Sequence, residues 1–243
     1  MTRKNIAFSF IALLIICGLS GNGKGLTSEL GPQESFRQYL PLISNPFSYN
    51  GFLKSYSEYI EGTNHYVVGE LENVFNTIVY DPGVTVEIQG QNHEKSYRSI
   101  RTIIRCLAPH QTTPFKVVFS GLSEPAKVSH ISWSYGSSPE YPPCQTAQVT
   151  SQNYHDDYGT SFVIQVSNIN PKPLYGLMIA VTLYDSHGIV VGVEKDTFPE
   201  YFPPNTGGVG SGYEIIYTSY RANQFTSYSV HAEGFTSEGD TFP

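Results

Sequence analysis

Seven histidines, three cysteines and 26 serines are the side chains of this 243-residue sequence best suited to chemistry, and their spacing limits what they could do. The densest cluster is His155-Asp156-Asp157. One imidazole beside two carboxylates has the donor types of a divalent-cation site. Successive residues of an extended segment point to opposite faces, however, so the three do not converge on one ion. The cluster reads as a solvated linker. Asp185-Ser186-His187-Gly188 lacks the further carboxylates that calcium requires and reads as a turn, with Asp opening it and Gly supplying a left-handed position. No HExxH, paired CxxC or EF-hand loop occurs, and no Gly-x-Ser-x-Gly elbow. His130 and Ser132 share one alternating, polar strand face. Gly207-Gly208-Val209-Gly210-Ser211-Gly212 precedes a strand rather than the helix N-terminus that would cradle phosphate, so it reads as a flexible loop. The sequence therefore predicts no catalytic residue, no metal ligand and no cofactor.

Recognition by surface aromatics is the chemistry that remains. Tyr154, Tyr158, Tyr201, Tyr220 and Tyr228 fall in expected loops or near strand ends, where a tyrosine presents a flat apolar ring with a polar tip. Charged residues make up 14% of the chain, against roughly 25% in an average soluble protein. The net charge of -7 argues against nucleic acid, whose phosphates need clustered Lys and Arg.

The N-terminus reads as an address. Arg3 and Lys4 precede an apolar run from Ile6 to Ile16, then Gly18, Ser20 and Gly21. This is the layout of a secretory signal peptide over residues 1–20, too short to span a bilayer comfortably. A lipid on Cys17 or an uncleaved N-terminus would be the only membrane attachment; a small residue should precede a lipidated Cys, and Ile16 stands there. Without Cys17, Cys106 and Cys144 remain as a candidate disulfide in an oxidising compartment. Residues 21–51 read as a linker carrying one apolar knot, Tyr39-Leu40-Pro41-Leu42-Ile43, that could dock onto the following domain.

The rest of the chain pairs with itself. Val84-Thr85-Val86-Glu87-Ile88 matches Ile179-Ala180-Val181-Thr182-Leu183 at an offset of 95, as do Leu71-Glu72-Asn73 and Val166-Ser167-Asn168, and Val79-Tyr80 and Leu174-Tyr175. Phe115, Val117 and Phe119 pair with Tyr213, Ile215 and Tyr217 at 98, and Ile131, Trp133 and Tyr135 with Tyr228, Val230 and Ala232 at 97. Alternation puts Phe162, Ile164, Val166, Leu177, Ile179, Val181 and Leu183 inward, and Trp133 reads as core packing. No apolar stripe of helical period follows the signal segment. The expectation is an all-β chain of two immunoglobulin-like β-sandwich domains in tandem: repeat 1 over 52–138, an inter-repeat linker over 139–157 and repeat 2 over 158–240.

Val181-Thr182-Leu183-Tyr184-Asp185, then Gly188-Ile189-Val190 and Phe202-Pro203-Pro204-Asn205 before Tyr213, resembles the signature of the bacterial FxLYD domain family. Val181 stands in place of the family's Phe, and the first repeat has Ile88-Gln89-Gly90 in place of Leu-Tyr-Asp. The resemblance implies a small extracytoplasmic β-sandwich and brings no catalytic residues. The sequence thus points to a non-catalytic secreted or cell-envelope protein, its modules a structural spacer or an interaction module for an envelope or extracellular protein. The alternative is a module binding carbohydrate or envelope polymer through exposed tyrosines.

Overall fold

In the computed structural model the described residues are 52–122, 126–136, 144–198, 201–204, 211–218, 220 and 223–236. The expected signal segment, Cys17, the 21–51 linker with its apolar knot, Asn205 and Gly207 to Gly210 lie outside them. Every regular element described is a strand. The first half contains β1 (Leu53–Glu61), β2 (Asn64–Glu72), β3 (Val79–Gly90), β4 (Lys95–Arg101), β5 (Cys106–Leu107), β6 (Thr112–Phe119) and β7 (Ala126–Gly136). The second contains β8 (Cys144–Thr146), β9 (Gln148–His155), β10 (Thr160–Ser167), β11 (Leu174–Tyr184), β12 (Val190–Thr197), β13 (Tyr201–Phe202), β14 (Ser211–Thr218) and β15 (Ser227–Phe235). Both halves lie in one compact unit.

Each half is a sandwich of two antiparallel sheets. Sheet A has the order β1-β2-β6, and sheet B the order β4-β3-β7 with β5 also on β3. In the second half, sheet D has the order β9-β10-β14, and sheet C the order β12-β11-β15-β8 with β13 also on β11. Alternation explains the cores. Val67, Leu71, Phe115 and Val117 of sheet A and Val84, Val86 and Ile88 of sheet B are all but fully buried. So are Phe162, Ile164, Val166, Leu177, Ile179, Val181 and Leu183, the residues expected to face inward. Trp133 is partly buried against this core and stacks on Phe52 at 4.3 Å.

The two halves repeat one another in detail. Val79 pairs Leu107 and Tyr80 pairs Cys106; 95 residues on, Leu174 pairs Phe202 and Tyr175 pairs Tyr201. The ladder from β3 to β7 slips between Tyr80 and Gly83, and that from β11 to β15 between Tyr175 and Met178. At that bulge Asp81 (φ 48°) and Gly176 (φ 52°) both adopt the left-handed conformation that Gly takes freely and Asp tolerates. The buried Asn73 donates through Nδ2 to the carbonyls of Thr77 and Leu107, and accepts from Phe75 N–H. Asn168 does the same with Lys172, Phe202 and Asn170. In each half one side chain thus satisfies the backbone where the chain leaves one sheet for the other.

Three expectations need correction. Residues 144–155, placed in a linker, form β8 and β9, and β9 is the counterpart of β1. The β6–β14 match runs at 99, not 98: Val67 pairs Val117 while Phe162 pairs Ile216. A slip of one reverses the faces of a strand, so Ile215 and Tyr217 point outward. The β7–β15 match also runs at 99 rather than 97, since Val86 pairs Ile131 and Val181 pairs Val230.

Candidate interaction surface

The ionisable groups that burial makes conspicuous are spent on structure. Inside the first sandwich, Glu58 Oε2 lies 2.9 Å from His65 Nε2 and accepts the Val128 N–H at 3.0 Å, which ties β1 and β2 to β7. Asp81 holds its left-handed turn through Arg105, Arg101 Nε at 3.1 Å and its own N–H to the Arg105 carbonyl. The His155-Asp156-Asp157 segment is not a linker but the end of β9 and the turn into β10. Asp156 Oδ1 accepts the N–H groups of Tyr158 and Gly159, and His155 Nδ1 lies 2.9 Å from Thr160 Oγ1. Asp185 caps the next turn in the same way, accepting from His187 and Ile189, with Gly188 at φ 75°. Among the described residues no three His, Cys, Asp or Glu gather as a metal site.

A second group of polar side chains joins the halves. The outer face of sheet A carries Ser55, Ser57, Tyr59, Tyr66, Val68, Glu70 and Lys116, and β12 packs across it. Ser57 Oγ donates to the Val190 carbonyl at 2.6 Å, and Lys116 Nζ meets Glu194 Oε2 at 2.9 Å. Ser57 and Lys116 sit in one cross-strand row, on β1 and β6, while Val190 and Glu194 lie four residues apart on β12. Strand β12 therefore crosses the strands of sheet A rather than running along them. Tyr184, the tyrosine of the Leu-Tyr-Asp segment, donates its hydroxyl to Glu70 Oε1 at 2.5 Å. Burial and that carboxylate both push the Tyr184 hydroxyl's pKa above the ordinary tyrosine value, so it keeps its proton. Further along, Glu233 accepts the Arg105 N–H at 2.6 Å and the Cys106 N–H at 3.3 Å. Burial lifts the Glu233 carboxyl to about 8 and drops its neighbour His231 to about 4.

The five expected recognition tyrosines separate into two kinds. Tyr154, Tyr158 and Tyr201 are exposed, with 55%, 88% and 54% of their surface open. Tyr220 is not a surface residue: it is buried, donates its hydroxyl to the Val191 carbonyl and meets Tyr59 edge-on. Tyr228 packs on Phe162 at 4.9 Å and its hydroxyl accepts from Ser151, so it belongs to the second core. Tyr201 stands apart on sheet C beside Tyr175.

Tyr154 gains neighbours the sequence did not single out. On the outer face of sheet D, Tyr154, Ser161 and Tyr217 form one cross-strand row, and Gln152, Val163 and Ile215 the next. Tyr217 is 71% exposed and Ile215 44%. The Tyr154 hydroxyl donates to Gln152 Oε1 at 2.9 Å, two residues back on the same face, so its ring lies along β9. Thr150 and Gln165 continue the surface and hydrogen-bond each other. Each of these described side chains is uncharged. Tyr217 and Ile215 were legible only through the pairing of β14 with β10, because the inward alternation of Phe162, Ile164 and Val166 sends Ile215 and Tyr217 the other way.

No protein-family model matches the chain, and no curated protein does. Among solved structures, a variant of oxalate decarboxylase from B. subtilis aligns at 10% identity over 76% of this chain and 74% of that one, with a TM-score of 0.15. AerE from Microcystis aeruginosa aligns at 9% identity over 83% and 97%, with a TM-score of 0.13. Neither likeness carries an argument about fold or activity.

Proposed function

We propose that the chain is a non-catalytic, exported protein in which two immunoglobulin-like sandwiches, copies of one unit, form a spacer that carries an interaction surface. The observation that supports it best is the recurrence of strand order, bulge and buried asparagine across the halves, with the conspicuous ionisable groups tied into turns, cores and the joint between halves. The B-E and C-F strand pairs of the immunoglobulin arrangement correspond to β2-β6 and β3-β7, and again to β10-β14 and β11-β15. The FxLYD-like residues fit the same account: Leu183 is core, Asp185 builds the turn, and Tyr184 reaches the first half.

Export brings with it a Cys106–Cys144 disulfide. In its favour, Cys106 N–H bonds the Glu233 carboxyl group, while Glu233 and Phe235 pair with Thr146 and Cys144. Both cysteines thus abut the same stretch of β15. Cell fractionation with intact-mass measurement tests the proposal: protein outside the cytosol, shortened near Ser20 or Gly21 and lighter by two hydrogens until reduced, is the expected result. Full-length reduced protein confined to the cytosol would overturn it.

A further inference from the structure

We infer that the outer face of sheet D binds an uncharged, extended polysaccharide, with Tyr154 and Tyr217 as its two stacking sites. The inference rests on the reading of this protein as an interaction module and names the ligand class.

Three observations lead to it. The first is a difference between equivalent faces. The outer face of sheet A carries Glu70 and Lys116 and is covered by β12; across the joint Glu70 accepts from the Tyr184 hydroxyl and Lys116 pairs with Glu194. The corresponding positions of sheet D are Gln165 and Ile215, and this face is open. A second molecule of this chain could not repeat the internal joint there. On sheet C, Ala180 and Thr182 of β11, which alternate outward, and Val191 and Val193 of β12 are buried. Their counterparts on sheet B are Thr85, Glu87, Lys95 and Tyr97, a hydrated network in which Glu87 bonds Lys95 and Ser129. Hydrogen bonds from Ser129 and Lys95 hold the Glu87 carboxyl down to about 2. Docking that charged surface on a face with no formal charge would cost its desolvation without return.

The second observation is spacing. Tyr154 and Tyr217 are separated by one strand, so their Cα atoms stand two inter-strand distances apart, about 10 Å. That is roughly the length of two sugar units in an extended β-linked chain, so alternate sugars could stack on the two rings. Sugar rings present C–H groups to an aromatic face and hydroxyls at their rims. The third observation is presentation. The bond to Gln152 lays the Tyr154 ring along β9 and fixes it before any ligand arrives, and 55% of the residue's surface stays open. Between and beside the rings, Ser161, Gln152, Gln165 and Thr150 supply the hydroxyls and amides that sugar hydroxyls need. Tyr158 stands exposed on the turn that follows β9.

Binding of the full chain to insoluble cellulose and chitin, and to soluble cellohexaose and chitohexaose by calorimetry, tests this. The charged polymer polygalacturonate and varied salt serve as controls. Retention on at least one uncharged polymer, insensitive to salt, is expected. Tyr217→Ala and Tyr154→Ala should each weaken it roughly tenfold, as aromatic anchors do, while Tyr201→Ala on sheet C should leave it unchanged. Circular dichroism and the melting temperature report whether the variants fold. Retention on no uncharged polymer, retention on polygalacturonate alone, or binding indifferent to Tyr217→Ala would overturn the inference. Self-association in sedimentation velocity that Tyr217→Ala abolishes would overturn it too, by giving the face to a second copy. None of these failures touches export or the disulfide, which the mass measurement reads separately.

Discussion

The outer faces of sheets A and D are made by equivalent strands in equivalent register, yet one is interior and the other surface. On sheet A, Val68 and Glu70 are buried beneath β12; Glu70 Oε1 accepts from Tyr184 and Thr112, and Lys54 Nζ lies 3.8 Å from Oε2. On sheet D, the matching positions are Val163 and Gln165, both partly open to water. A buried charge without its partner is costly, so Glu70 is tenable only while the second half stays in place. Gln165 is indifferent to such a loss. One backbone plan therefore serves two environments, and the outward residues of each half record which environment it occupies.

The largest expected effect tests the inner faces instead. Gly69 lies opposite Phe115, and a Cβ there would come 2.5 Å from the Ser55 carbonyl and 2.6 Å from the Phe115 ring. The second half puts the bulk on the other strand, with Ile164 opposite Glu214. Gly69→Ile should cost about 3 kcal/mol or more in urea unfolding, and Gly69→Ile with Phe115→Ala should recover part of it. Asn73→Ala and Asn168→Ala should each cost about 2 kcal/mol, because each strands buried carbonyl and N–H groups. Unequal losses would show that the two connections are not mechanically equivalent.

Glu233 sharpens the comparison through pH. Its folded-state carboxyl keeps a proton to about pH 8, whereas its ordinary value is 4.5. The folded form binds more protons in that window, so its contribution to stability is present below about 4.5 and lost as pH rises towards 8. His231 acts oppositely: its folded value is about 4 against 6.5, so its contribution is present above 6.5 and lost as pH falls towards 4. Wild type should accordingly lose stability between pH 6.5 and 8, and Glu233→Gln should flatten that limb by about 2 kcal/mol in thermal melts. A parallel pair of profiles would mean that Glu233 stays charged in the joint. Tyr184→Phe should cost about 1 to 2 kcal/mol by leaving Glu70 short of a donor. Gln165→Ala, at the matching place on the open face, should stay within about 0.5 kcal/mol of wild type.

The fold was legible in the sequence wherever alternation met a conserved spacing between segments. The offset of 95 placed β3 against β11 and Asn73 against Asn168 without help from coordinates. It failed after β5 and β13, because the connection from Leu107 to Thr112 has a counterpart, from Phe202 to Ser211, that is four residues longer. Tyr213, Ile215 and Tyr217 alternate as convincingly as an inward set would, and periodicity alone carries no sign that says which face is which. The joint was illegible for a different reason. Ser57 with Val190, Glu70 with Tyr184 and Arg105 with Glu233 are each more than a hundred residues apart and bear no local pattern. Tyr220 and Tyr228 looked like loop aromatics because nothing in their neighbourhood announces the cores that receive them. Most of the open face on sheet D was likewise a matter of register, visible once β9, β10 and β14 were aligned.

The crossing of β12 over sheet A bears on how a load would pass through the protein. Tandem modules joined by a bare linker bend at the junction, and the distance they span fluctuates with thermal motion. Here the junction is stitched at Ser57, Glu70, Lys116 and Arg105, so bending would have to break several bonds together. Under the spacer reading proposed above, such a pair would act as a ruler rather than a tether, holding the Tyr154–Tyr217 row of sheet D at a set reach from β1.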